Sequence, residues 1–312
     1  MKAKPGDAWP TVLAVIVTWN GRDDLARCLE SVARQDYPSE RLEILVVDNA
    51  STDDSQETCR DICPRAVWLR NPSNLGYARA VNAGIRHGMA NGSRYVWVLN
   101  NDVIAGRGTL RQLVAAGESH GDIGVICPVV CAMEEPDRIE NIGYKINFWT
   151  GRLRRRQMGH DIFTDSEQQY AHVDSVLGCS NLIKMEVVER VGLFREIYGV
   201  YFEETDFNVR ARRSGFGVVV VREARVLHRG SSTMNRFIFR RAWLLLRNLL
   251  LFEWYNAGPV RLAVFIPWFA LVHLPWFVVR GCIYVARAKL KAMRSRPSAR
   301  PAVNVSMGAK EN

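Results

Sequence analysis

Residues 12–33 open with Val12-Leu13-Ala14-Val15-Ile16-Val17-Thr18, turn at Asn20-Gly21, and then place Leu25, Cys28, Leu29 and Val32 at i, i+3, i+4 and i+7. The first seven residues carry no charge, the pattern of a strand buried in a sheet. The second spacing is that of an amphipathic helix, with Asp23 or Asp24 expected at its N-cap. A strand, a short turn and a helix make the first half of a βαβ unit, and the chain repeats that unit.

Strands are expected at 42–47, ending on Asp48, and at 66–69, 95–99 and 123–127, with helices near 54–60, 76–89 and 110–118 between them. This alternation predicts an α/β fold on a mostly parallel sheet. After residue 130 the rhythm changes. Ile142, Tyr144, Ile146 and Phe148 alternate, Thr150-Gly151 turns, and Arg152, Arg154, Arg155 and Arg156 return, so a hairpin is expected over 139–157. A strand over 173–177, helices at 185–191 and 204–214, and a strand over 217–221 leading to His228 follow.

The chain has 312 residues with 48% hydrophobic and 24% charged content, which fits a folded globular body and excludes wholesale disorder or a polytopic membrane bundle. Its net charge of +10 is unevenly distributed. Residues 1–207 carry 23 Lys and Arg against 29 Asp and Glu, a net of −6, which leaves +16 for 208–312. An acidic body with a basic tail rich in Trp243, Trp254, Trp268 and Trp276 points to an anionic lipid surface rather than to nucleic acid. Residues 262–279 form an 18-residue uncharged run between Arg261 and Arg280, in which Pro267 and Pro275 are expected to interrupt a straight helix. From residue 292 the Ser/Pro/Ala-rich tail is expected to be disordered. Met1 to Pro10 has no signal-peptide pattern, so a cytoplasmic body is expected. The seven cysteines are expected to be reduced, structural thiols, since neither Cys59/Cys63 nor Cys127/Cys131 has the spacing of a zinc or redox motif.

Open α/β sheets bind ligands beyond the carboxyl ends of their strands. Four polar sets stand there: Thr18/Trp19/Asn20, Asp48/Asn49, Asn71 to Asn74, and Asn100/Asn101/Asp102. The glycine-rich dinucleotide fingerprint and the phosphate loop with Gly-Lys-Ser/Thr are both missing, which removes dehydrogenase and P-loop readings. Asp102, just past an apolar strand, suits one oxygen ligand of a hard divalent ion that shares a diphosphate.

Several of these segments, taken in order, resemble the family 2 inverting glycosyltransferases. They are 15–20 (Val-Ile-Val-Thr-Trp-Asn), 46–53 (Val-Val-Asp-Asn-Ala-Ser-Thr-Asp), 74–82 (Asn-Leu-Gly-Tyr-Ala-Arg-Ala-Val-Asn), 98–102 (Val-Leu-Asn-Asn-Asp), 178–181 (Gly-Cys-Ser-Asn), 201–206 (Tyr-Phe-Glu-Glu-Thr-Asp) and His228. The look is most like bacterial rhamnosyltransferase-like members. The resemblance covers about residues 11–232 and implies a GT-A fold over 1–236, with 11–130 as the nucleotide-sugar half and 131–236 as the acceptor and catalytic half. It implies that Thr18, Asn20, Asp48, Asn74, Arg79 and Asn101 bind the nucleotide sugar, that Asp102 and His228 hold Mg²⁺ or Mn²⁺, and that Glu204 is the base with Glu203 orienting. Asn100 and Asn101 replace the other residues of the family's Asp-x-Asp metal motif, and Glu204 stands where Asp is usual.

The expected activity is transfer of a sugar, with TDP-rhamnose as the leading donor, to a lipid-linked or polysaccharide acceptor at the cytoplasmic membrane face. Residues 237–291 form the expected membrane-associating helical extension. An inactive nucleotide-sugar-binding scaffold is the alternative, which the presence of Glu204, Asp102 and His228 opposes. A basic nucleic-acid module is opposed by the acidic body.

Overall fold

A computed structural model describes residues 9–156, 168–230 and 238–279 of the chain. Residues 280–291 of the expected extension, the expected disordered tail 292–312, and Ser231 and Ser232 lie outside the described residues.

Four parallel strands form one half of the sheet: β1 (Val12–Thr18), β2 (Leu42–Asp48), β3 (Val67–Arg70) and β4 (Tyr95–Asn100), in spatial order β4-β1-β2-β3. The helices between them are α1 (Arg22–Ala33), α2 (Ser55–Ile62) and α3 (Tyr77–Ala90). In β1, Val12, Ala14 and Ile16 face one apolar cluster with Leu25, Leu29 and Val32 of α1, while Leu13, Val15 and Val17 face another with Ala78, Val81 and Ile85 of α3. Burial on both faces explains the uncharged run, each full-sized side chain there contributing about 1.5–3 kcal/mol. The cap of α1 departs from expectation. Gly21 occupies the N-cap with no side-chain bond, and Asp24 is drawn instead to Arg27 and to Arg229, whose Nη1 lies 2.9 Å away.

The second half of the sheet is mixed. Next come β5 (Val103–Ala105), α4 (Thr109–Ser119), β6 (Ile123–Ala132) and β7 (Ile139–Asn141), then the hairpin β8 (Tyr144–Asn147) and β9 (Arg152–Arg155), which forms a separate two-stranded sheet as the alternation foretold. The expected strand over 173–177 is not formed. Those residues supply only an isolated bridge from Ser175 to Tyr144, with β10 (Tyr170–His172) before them and β11 (Ser180–Lys184) after. β11 lies antiparallel between β4 and β6, burying Leu182 and Ile183 on opposite faces. Residues 173–177 carry three apolar side chains to the two of β11, although they are spent on a connection.

After β11 come α5 (Met185–Val191), α6 (Glu203–Arg213) and β12 (Gly217–His228). β12 runs parallel to β6, with an irregularity between Val221 and Arg225, and extends well beyond the expected end at 221.

The compact unit continues through Leu262, past the boundary expected at 236. The reason is α7 (Ile238–Asn256), whose Asn248, Phe252, Glu253 and Asn256 are buried and whose Phe252 joins a small cluster with Tyr198, Val209 and Ile146. Beyond it, α8 (Pro259–Trp268) runs into a π-helical turn at Phe269–His273, and the helix then resumes. The two prolines therefore do not break the segment. A wider turn makes room for the ring of Pro275 against the carbonyl four residues before it. Pro259–Val279 is the one helix among the described residues long and apolar enough to cross a membrane, with a mean hydropathy of 2.0. The six described cysteines are all buried and free, and Cys282 lies outside the described residues.

Candidate active site

A cavity of about 270 Å³ opens at the carboxyl ends of β1 and β4. Of the residues expected to act, Thr18, Asn74, Asn101, Asp102, Glu203, Glu204 and His228 line it. Asn20, Asp48 and Arg79 do not.

The strand ends hold one another. Asn101 Nδ2 donates to Thr18 Oγ1 at 3.1 Å, across the β4–β1 boundary. Gly21 makes this contact possible, because a Cβ there would stand 2.1 Å from Asn101 Nδ2. Asn20 sits at φ 49° and accepts at Oδ1 from the Thr52 amide at 2.7 Å, while its own amide donates to Ser51 Oγ at 2.9 Å. Asp48 is fully buried. Its Oδ1 accepts from the Ser51 amide at 2.8 Å, and its Oδ2 makes no hydrogen bond but faces Arg70 Nη1 at 3.2 Å. Asn49 lines the cavity and accepts at Oδ1 from Asn71 Nδ2 at 2.8 Å. Asn74 accepts from the Gly76 amide at 3.0 Å. Arg79 projects from α3 to Glu196, Nε to Oε2 at 3.0 Å, which takes it out of the cavity wall.

The expected metal position is built by strand register. β12 pairs with β5 so that His228 lies opposite Val103, which brings the ring beside Asp102. Nε2 of His228 stands 3.5 Å from Asp102 Oδ1, and that oxygen has no hydrogen-bond partner. On the other side of the ring, Nδ1 lies 3.4 Å from Glu140 Oε2. Glu140 was not foreseen; β7 brings it there by pairing with the end of β6, whose Ala132 lies opposite His228. A carboxylate on Nδ1 fixes the tautomer that leaves Nε2 as a lone-pair donor, the usual arrangement behind a ligating histidine. Burial raises the Asp102 carboxyl above its ordinary range, opposed by His228. A buried orphan oxygen beside an oriented imidazole fits a divalent ion whose remaining ligands are diphosphate oxygens and water. Among the described residues there is no cluster of three or more side chains that could hold a metal ion.

Across the cavity, α6 begins with the acidic pair. The chain enters it through Tyr201 and Phe202, both at φ 70°, a left-handed conformation that non-glycine residues adopt at a cost of about 1–3 kcal/mol each. Glu203 is buried and Glu204 half-buried, and Oε2 of each lacks a hydrogen-bond partner. Burial, and then the neighbouring Glu204, push the Glu203 carboxyl well above the usual range. Burial pushes Glu204 up to about 7, against the backbone amides of Glu204 and Thr205 and its contact with Glu203, which all favour the ionised form. Two adjacent carboxyls in this setting cannot both ionise cheaply, and the stronger burial of Glu203 favours the proton there. Gly178 lies against Glu204, where an added Cβ would meet Cγ at 3.3 Å. Tyr77 spans the two sides. Its hydroxyl donates to Gly178 O at 2.9 Å, and its phenol is pushed up by burial and then by Glu203, Cys179, Glu204 and Asp102.

Tyr201, Arg240 and Leu244 also line the cavity. The last two belong to α7 and carry no motif, and only their i, i+4 spacing with Asn248, Phe252 and Asn256 marks them as one row of a helix.

The profile of glycosyl transferase family 2 matches residues 13–188. An N-acetylglucosaminyl-diphospho-decaprenol L-rhamnosyltransferase of Mycobacterium tuberculosis is 27% identical over 247 residues, covering 71% of this chain and 77% of that protein. A galactofuranosyltransferase of Mycolicibacterium smegmatis is 26% identical over 223 residues, 70% of each. Among solved structures, a mannosyltransferase of Pyrobaculum calidifontis in complex with GDP-Man and Mn²⁺ superposes with a TM-score of 0.59 at 18% identity, over 93% of this chain and 77% of that one. GalNAc-T7 with UDP, GalNAc and Mn²⁺ gives the same TM-score and identity over 70% of this chain, which spans only 44% of GalNAc-T7. Those two structures speak for the fold, a GT-A-like α/β sheet.

Proposed function

Because the chain belongs to glycosyl transferase family 2, we propose that it moves a sugar, rhamnose from TDP-rhamnose being the leading candidate, onto a lipid-linked or polysaccharide acceptor with inversion at the transferred carbon. One observation carries the reading. Glu204, poised near neutrality and with a free carboxylate oxygen, lines the same cavity as Asp102 and His228.

Thr18, Asn49, Asn74 and Asn101 receive the nucleoside diphosphate at the strand ends, with Asp48 and Asn20 holding the loop 49–52 that shapes it. Arg79 reaches the diphosphate only by leaving Glu196. Asp102 and His228 would hold Mg²⁺ or Mn²⁺, which supplies charge stabilisation for the departing diphosphate. The acceptor hydroxyl attacks the anomeric carbon, Glu204 takes its proton, and the bond from that carbon to the diphosphate oxygen breaks on the opposite face. Glu203, protonated, donates to and orients the base or the sugar.

The exposed apolar row Phe239, Trp243, Leu250 and Trp254 on α7, and the apolar helix Pro259–Val279, support seating at the inner face of the cell membrane, where a lipid-linked acceptor is presented. The full-length protein in liposomes tests the whole reading. TDP-rhamnose should raise the melting temperature and be consumed with a polyprenyl-diphosphate-linked acceptor. Stabilisation by UDP-sugars and not by TDP-sugars would overturn the donor. Consumption of no nucleotide sugar would overturn the reaction.

A further inference from the structure

Three hydrogen bonds from one side chain of α7 reach the main chain that enters α6, beside the Ala78 amide of α3, which donates to Gly199 O at 2.9 Å. Asn248, fully buried in α7, points Nδ2 at three main-chain carbonyls: Tyr198 O at 2.9 Å, Val200 O at 2.8 Å and Tyr201 O at 2.8 Å. These carbonyls lead directly into Tyr201 and Phe202, the two residues at φ 70°, and from there into Glu203 and Glu204. A left-handed pair without glycine persists only where surrounding structure over-determines it. Local sequence does not do so, because Phe202, the N-cap, makes no side-chain cap bond.

We propose that Asn248 is a positioning residue: its amide holds the strained 198–202 turn in the conformation that aims Glu203 and Glu204 into the cavity. This rests on the proposed role of those carboxylates.

The rest of the row agrees. Four residues before Asn248, Leu244 lines the cavity; four after it, Phe252 packs in the cluster with Tyr198 and Phe202; and Asn256 donates to Asp206 Oδ1 at 3.0 Å. Asn256 thus bonds the first turn of the same helix at Asp206, which also accepts from the Tyr198 hydroxyl at 3.3 Å, and Arg213 at the far end donates to Asn256 Oδ1 at 3.3 Å. Asn248 acts on the main chain of the entry turn itself. Asn and not Asp or Leu is required, because three carbonyls need a donor and a buried carboxylate would repel them.

The test compares Asn248→Ala and Asn248→Ser with Asn256→Ala in the full chain, reading turnover, donor affinity and amide exchange. Both Asn248 variants should keep donor Kd within about twofold while kcat falls by about a hundredfold for Ala, the size of effect expected when a reacting group is displaced by roughly 1 Å. Amide exchange over residues 201–206 should rise about tenfold, with that of α1 unchanged. Asn256→Ala should lower stability without the loss confined to kcat. The exchange measurement needs no substrate, so it separates a wrong positioning role from a wrong reaction. Unchanged exchange over 201–206 overturns the proposal, as does a loss shared equally by donor affinity and kcat. Failure of both Asn248 variants to fold assigns the residue to folding and overturns it too.

Discussion

The two walls of the cavity are built on opposite plans. On the wall formed by β1, β2 and β4, most polar side chains are tied into the strand ends and the loop after β2, Asn101 to Thr18, Asn20 to the Thr52 amide, Asp48 Oδ1 to the Ser51 amide and Asn49 to Asn71, while Asp48 Oδ2, Asn100 Oδ1 and Asp102 Oδ1 make no hydrogen bond. On the wall formed by the entry to α6, Glu203 Oε2, Glu204 Oε2 and the Tyr201 hydroxyl are buried without hydrogen-bond partners, just after or within a pair of residues held at positive φ, Tyr201 and Phe202. The first wall is the more tightly bonded, and the second carries the adjacent pair of raised carboxyls that the proposed reaction uses for a proton transfer.

The largest effect should come where the two walls meet. Asp102→Ala should cost about 10³-fold in kcat/KM, the scale of losing charge stabilisation at a leaving group, and chelation of the wild type should do the same until Mg²⁺ or Mn²⁺ is restored. Full activity of either would remove the metal from the account.

Glu253 tests whether burial alone raises carboxyls on the second wall. It is buried in α7 away from the cavity, both oxygens lack partners, and burial pushes it up to about 7, opposed by Arg261. Its folded value lies above the unfolded one, so the stability it brings is full below the unfolded value and is lost as pH rises through about 7. Glu253→Gln should therefore stabilise the protein at pH 8, by up to about 3 kcal/mol, and not at pH 4. Equal effects at both pH values would contradict this.

Glu140 sharpens the contrast from the metal side. Glu140→Gln should weaken metal affinity by about 10–100-fold while leaving the fold intact, measured by metal titration of activity. The first wall should yield the smallest change. Gly21→Ala forces Asn101 off Thr18 and loses one hydrogen bond, so donor Kd should rise about fivefold with kcat unchanged.

The same contrast decides what the sequence disclosed. Strand ends and turns are local, so 12–33 and the polar sets after each strand could be read directly, and the α/β alternation with them. Asp102 could be read from its place after an apolar strand, His228 came through the family resemblance, and register brings the two together. Glu140 was invisible because pairing of β7 with β6 delivers it. Arg79 matched its motif but pairs with Glu196, a partner 117 positions away. Asn248 lies in an apolar stretch that reads as a membrane segment, and only the packing of α7 on α6 shows that one face of it serves the site. The strand misplaced at 173–177 has the same origin, since β11 is chosen by its two neighbours and not by its own pattern.

The central claim is that Glu204 is the base and Glu203 its protonated neighbour. The most direct measurement is kcat against pH for the wild type, Glu204→Gln and Glu203→Gln, with donor affinity followed in parallel. Wild-type kcat should rise through an acid limb near 7, because the base must lose its proton. Glu204→Gln should bind donor normally, lose at least about 10²-fold in kcat and lose the limb. Glu203→Gln should lose less and keep a limb near 7, because a neutral amide replaces a neutral, protonated carboxyl. A dead Glu203→Gln beside a near-normal Glu204→Gln, or a wild-type profile flat through pH 7, would contradict the account.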